Sequence, residues 1–177
     1  MGQHGARGPG ILAAMQEIAR LAGFFAAHGI WGVSDGATLI PLLGYEQASG
    51  DRGMDRFAFD DVGAGAQAGQ EALQTNQHGA IRAVLVVDGY LHLPGGRTDA
   101  LIVDAVQYEP ARRSFKMGVP YRPQPSPDGF AVHRPKFIEV VGIDRQDYPA
   151  LTDAFFAGVD SHERAAPVWN AHLDPSI

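Results

Sequence analysis

A carboxylate within reach of an imidazole is the smallest side-chain unit that can move protons for a reaction. One stretch of this 177-residue chain offers both parts. Asp104 stands between Val103 and Ala105, and strand alternation sets it on the same face as Ile102 and Val106. An acid on an otherwise apolar face must be paired, hydrogen-bonded or held at the rim of a cleft. Asp99 lies nearer a turn and on the opposite parity, while His92, in the preceding run, is placed to be a cross-strand neighbour of Asp99 or Thr98. The simpler reading pairs Asp104 with an arginine and leaves His92 on the surface.

A second group could hold an anion. Arg122, His133, Arg134 and Lys136 flank a proline-rich run, and Arg134 and Lys136 share strand parity. Guanidinium forks suit carboxylate or phosphate. Against this stands a solvated sheet edge whose charges and prolines discourage pairing with another edge. The group belongs to the only net-basic part of the chain. Residues 80–137 hold eight Arg or Lys against five acids, residues 1–79 four against eight, and residues 138–177 two against seven. A basic middle fits an anionic ligand or an acidic protein partner; pairing between the segments explains it as well.

Other chemistries are disfavoured. The chain has no cysteine, which excludes disulfides, thiolate metal sites and a cysteine nucleophile. Its seven histidines form no short-spaced pair, and Asp160-x-His162-Glu163 reads as a solvated acidic turn, so no metal is expected. Gly63-Ala64-Gly65 lacks the third glycine and the β-α-β surroundings of a dinucleotide site, no phosphate loop is present, and no serine sits in a nucleophile elbow. No cofactor is expected. A net charge of −6 argues against nucleic acid, whose binding draws on a basic surface.

The apolar stretch Ile11 to Trp31 carries Gln16, Glu17, Arg20 and His28, which argues against a membrane span or a signal peptide. Ala6 stands where a myristoylation signal wants Ser or Thr. A cytoplasmic location is the expectation. The many Ala, Gly and Arg, with only two lysines, suggest a GC-rich bacterial genome.

The elements that must position these residues follow from periodicity. Residues 1–10 are expected to be flexible, and residues 11–177 to form one α+β domain ending in a tail from about 161. Ile11, Met15, Ile18, Ala22 and Phe25 repeat at helical steps, widened by Leu12, Leu21 and Phe24, with Gly29 as terminator. Thr38 to Glu46 and Asp55 to Phe59 read as strands. A glycine-bearing helix follows from Val62 to Gln77, capped by Asp60 or Asp61. Between Ala80 and Arg122 short apolar runs alternate with turn signals at Asp88-Gly89, Pro94-Gly95-Gly96 and Glu109-Pro110, predicting an antiparallel meander with a hairpin at Asp88-Gly89. Phe130 to Val141 is extended across Pro135, and Asp144 to Asp160 forms a third helix with Tyr148, Leu151, Phe155 and Val159 on one face. Val168, Trp169 and Leu173 then anchor the tail.

The resulting fold class is α+β, with an antiparallel sheet of five to six strands and two to three helices. In element order it is similar to profilin-like and GAF-like sensory and scaffold domains, a resemblance that carries no motif and transfers no residue. No catalytic motif stands above background. The leading functional expectation is a non-enzymatic domain that binds a ligand or partner and self-associates. The glycine-rich helix and the apolar anchors Trp169 and Leu173 motivate it. The alternative is a small hydrolase or transferase on an anionic substrate, with Asp104 or His92 as acid/base and Arg134 or Arg122 as the anion holder. That alternative requires Asp104, His92 and the basic group to line one pocket.

Overall fold

The computed structural model describes residues 9–177; the expectations for Met1, Gly2 and Ala6 lie outside them. Helix α1 spans Pro9–Val33, β1 Leu42–Glu46, β2 Arg52–Arg56, α2 Val62–Thr75, β3 Arg82–Leu93, β4 Gly96–Gln107 and β5 Arg113–Arg122. Two further strands, β6 (Ala131–Val132) and β7 (Lys136–Val141), precede α3 (Tyr148–Ser161) and α4 (Ala165–Ala171). The fold is α+β, with an open antiparallel sheet ordered β2-β1-β3-β4-β5. Strands β6 and β7 pair with successive parts of the outer edge of β5.

Helix α1 lies on one face of this sheet, and its stripe is buried through Met15, Ile18, Leu21, Ala22, Phe25 and Ile30. It is long and apolar enough to cross a bilayer by length and composition, yet it is the core helix, half of its most apolar window lying inside the fold. It does not stop at Gly29. A Cβ there would come within 2.8 Å of Leu101 Cδ1, so this glycine admits the sheet rather than ending the helix. The chain turns after Val33, where the Ser34 hydroxyl donates to the Trp31 carbonyl and Gly36 takes φ +92°.

Pairing in β1 begins only at Leu42, because Pro41 has no N–H to offer a ladder; its carbonyl instead accepts from Phe57 N–H. Residues 37–41 are thereby left outside the sheet. Strand β2 returns earlier than expected, at Arg52, because Gln47 N–H bonds the Asp51 carbonyl and closes the turn.

Helix α2 covers β1 and β3 on the other face. Asp61 is its N-cap, the side chain accepting from Gly63 N–H at 2.9 Å, and Asn76 ends it in the left-handed region. Its glycines serve this chain's own packing, with Gly65 set against the Phe57 carbonyl and Gly69 against Leu85. Trp169 is likewise buried inside, whereas Leu173 stays exposed and joins Val132 through a backbone bridge. Of the features behind the self-association expectation, the helix and Trp169 are therefore engaged within the chain.

The meander is present as β3, β4 and β5, but without a hairpin at Asp88-Gly89. Strand β3 runs straight through that dipeptide, Asp88 opposite Leu101 and Gly89 opposite Ala100, and turns only at Pro94-Gly95, with Gly96 at φ +118°. A side chain at position 89 would crowd Ile102 at 3.1 Å, and the Asp88 carboxylate accepts the Tyr121 hydroxyl at 2.8 Å. Both residues thus serve strand packing, and Pro94-Gly95 supplies the stronger turn. Among the described residues the sheet has seven strands, Pro135 splitting the last extended run in two. Among the described residues there are four α-helices, α4 forming within the expected tail.

Candidate ligand-binding site

The two groups singled out from the sequence do not converge. Asp104 lies on the α2 face, where Gln70 Nε2 donates to Oδ2 at 2.7 Å and Lys116 Nζ sits 3.7 Å from Oδ1. Its charge partner is a lysine, and an α2 amide satisfies the other oxygen. His92 is on the opposite face: its register partner is Arg97, not Asp99 or Thr98. Asp99 is one diagonal step away on that same face, opposite Tyr90, and the Arg97 guanidinium covers the Tyr90 ring at 3.8 Å. Asp104 faces Leu85, seven positions from His92 along β3 and so about 23 Å away at strand rise.

Three of the four residues of the basic group, Arg122, His133 and Arg134, are engaged with this chain's own carbonyls. Arg122 Nε donates to Gly129 O at 2.7 Å and Nη2 to Asp128 O, which staples the proline-rich loop. His133 is buried with Nδ1 2.9 Å from Asp174 O, and Arg134 Nε reaches Ile177 O at 3.4 Å. Arg134 precedes β7 and is not in a strand, so it shares no sheet face with Lys136. Lys136 lines a separate groove with Leu93, Pro94, Thr98 and the C-terminal Ser176 and Ile177.

A cleft that the sequence reading passed over gathers more of what a site needs. It opens at the C-terminal end of α1, encloses about 340 Å³ and is lined by His28, Trp31, Gly32, Asp35, Thr38, Leu39, Ile40, Leu42 and Arg56. Three elements build it. Phe24, His28 and Trp31 succeed one another at helical steps along one side of α1. The turn after Val33 and the unpaired run before Pro41 supply residues 35–40. Strand β2 contributes Arg56, opposite Leu42 of β1.

Behind the cleft His28 meets His162, which follows the last residue of α3; Nδ1 of the first lies 3.0 Å from Nε2 of the second. The direction of that bond follows from the backbone. Ala165 N–H donates to His162 Nδ1 at 3.1 Å, so neutral His162 carries its proton on Nε2. That proton goes to His28 Nδ1, and neutral His28 then holds its own proton on Nε2. The chain Ala165 N–H, His162, His28 thus ends in a donor. Aromatic walls fix both rings, with Phe24 4.6 Å from His162 and Trp31 5.6 Å from His28 between ring centroids. Arg52 stacks over Phe24 in turn.

This arrangement suits neither a metal nor a general base at His28. A metal would need the Nε2 lone pair of His162, which holds a proton while Ala165 donates to Nδ1. A base would need a free lone pair on His28, and its only one is taken by His162. Among the described residues no group of three or more potential ligands forms a metal cluster. A carboxylate–imidazole pair does exist, Asp55 Oδ2 being 2.5 Å from His78 Nε2 with Tyr45 stacked on the ring, but it lies on the α2 face.

Burial holds the pKa of His28 below the ordinary 6.5, helped by His162 and then Arg56, and burial does the same to His162. With both folded values depressed, the unfolded chain binds more protons as pH drops below about 6.5. The contribution of this pair to stability is therefore fully present above that value and is lost as the pH falls below it. Urea unfolding at pH 7.5 and 5.5 is expected to show this loss. His28→Asn, whose amide oxygen can still accept from His162, is expected to reduce it; an unchanged loss in that variant would count against the pair as its source.

No family model, no curated protein and no solved structure matches this chain.

Proposed function

We propose that this chain is a binding domain for a small ligand bearing a carboxylate or phosphate, held in the cleft at the end of α1. The observation that carries the reading is the hydrogen-bond chain from Ala165, which leaves His28 a donor in the cleft that Arg56 also lines. Two donors, one of them a permanently charged fork, favour an acceptor-rich group. Trp31, Leu39 and Ile40 supply apolar surface for the remainder of the ligand. The hydrolase or transferase alternative has less support, because Asp104, His92 and Arg122 lie on separate parts of the sheet.

Trp31 reports on the cleft, while the second tryptophan, Trp169, is buried with 1% exposure. Titration with benzoate, acetate and inorganic phosphate is expected to shift the fluorescence of the wild type and of Trp169→Phe, and not of Trp31→Phe. Arg56→Ala is expected to weaken the response about tenfold to a hundredfold, the range for a lost charged hydrogen bond. Equal titrations for Arg56→Ala and wild type would remove the proposal.

A further inference from the structure

We infer that the ligand of this cleft is a free α-amino acid with an apolar side chain, an inference that rests on the anion-binding reading above and narrows it. Opposite charges reach the cleft from different elements, Arg56 from β2 and Asp35 from the loop just after α1. No ion pair joins them, and both residues are exposed. Among the described residues Asp35 accepts only the Ala37 N–H, at 3.0 Å, and the Arg56 guanidinium makes no side-chain hydrogen bond or ion pair. Opposite charges sharing a small cleft without pairing are matched by a ligand that carries both.

The surroundings sort the two ends. The last carbonyls of α1 place partial negative charge beside Asp35, two residues beyond the helix end, which favours an ammonium there. Arg56 and His28 line the same cleft, so guanidinium and imidazole N–H are both available to one carboxylate. Trp31, Leu39 and Ile40 form the wall for the side chain. About 340 Å³ is near the lower limit for small-molecule sites and suits a single amino acid better than a peptide.

Isothermal titration of the full chain with L-leucine, 4-methylpentanoate and leucinamide tests this, since the second lacks the amine and the third the carboxylate. Leucine is expected to bind at least about tenfold more tightly than either. Asp35→Asn keeps an acceptor for the Ala37 N–H and removes the charge. It is expected to bring leucine down to the affinity of 4-methylpentanoate and leave the latter unchanged. If 4-methylpentanoate matches leucine on the wild type, or the preference for leucine survives in Asp35→Asn, the amino-acid inference is overturned and the anion site stands. Absence of binding by all three, together with no Trp31 response to phosphate, overturns both.

Discussion

Gly23→Ala and Gly158→Ala are each expected to lower the stability of this protein by at least about 3 kcal/mol, at or beyond the upper end of ordinary overpacking. The two glycines sit where α1 and α3 cross. A Cβ at position 23 would lie 1.8 Å from the Phe155 carbonyl oxygen, and one at position 158 would lie 1.9 Å from the Arg20 carbonyl oxygen. Neither obstacle is a side chain that can rotate aside. The helices must move apart, and the contacts of Ile18, Leu151, Phe155 and Val159 loosen together. The consequence reaches the cleft, because His28 belongs to α1 and His162 follows α3, so widening the crossing lengthens the bond between them. Urea unfolding followed by circular dichroism measures the loss, and the Trp31 titration should weaken in parallel. Gly10→Ala is the control: it lies in the first turn of α1 with nothing among the described residues within 4 Å of the added carbon, and its midpoint should hold or rise slightly. A midpoint for Gly23→Ala within experimental error of the wild type would mean that this crossing is not tight.

Whether a feature could be read from the sequence depended on how local its physics was. The α1 stripe, an aspartate cap on α2 at Asp60 or Asp61 and the strands of the meander rest on residues a few positions apart, and they were legible. Asp88-Gly89 misled because a turn dipeptide is also compatible with a strand when its side chains have work across the sheet: Tyr121, the partner of Asp88, is 33 residues away. The cleft was hidden for the same reason. His28 and His162 are 134 residues apart, and their meeting depends on a helix crossing that two separated glycines permit. One signal was present: Phe24, His28 and Trp31 stand at steps of four and three, which sets an imidazole between two aromatic rings on one side of α1. The basic group is a further case: Arg122 and His133 bond the carbonyls of Asp128, Gly129 and Asp174, six to forty-one residues away, which clustering along the chain does not show.

Arg82→Met is expected to cost about 3–5 kcal/mol, the range for breaking a buried ion pair from one side. Arg82 in β3 lies between Glu46 of β1 and Gln107 of β4, directly in register with both. Its guanidinium bonds the Glu46 carboxylate and donates from Nε to Gln107 Oε1 at 2.9 Å, and all three residues are buried. Removing it strands the Gln107 oxygen and leaves Glu46 with Arg52 alone, whose side chain is 34% exposed. The same exposure makes Arg52→Met a much smaller change, about 1 kcal/mol. Arg52 has the closer link to the site, however, because it stacks over Phe24, which packs on His162. The two arginines should therefore separate stability from binding. Arg82→Met should unfold at far lower urea yet titrate normally at Trp31 while folded, whereas Arg52→Met should unfold nearly as the wild type does and bind more weakly. Replacing Glu46, Arg82 and Gln107 together by Leu, Met and Leu should recover most of the lost stability, since no buried charge is then left unpaired. Equal losses for the two single variants would show that Glu46 is held equally from both sides, and the buried arm would lose its special weight.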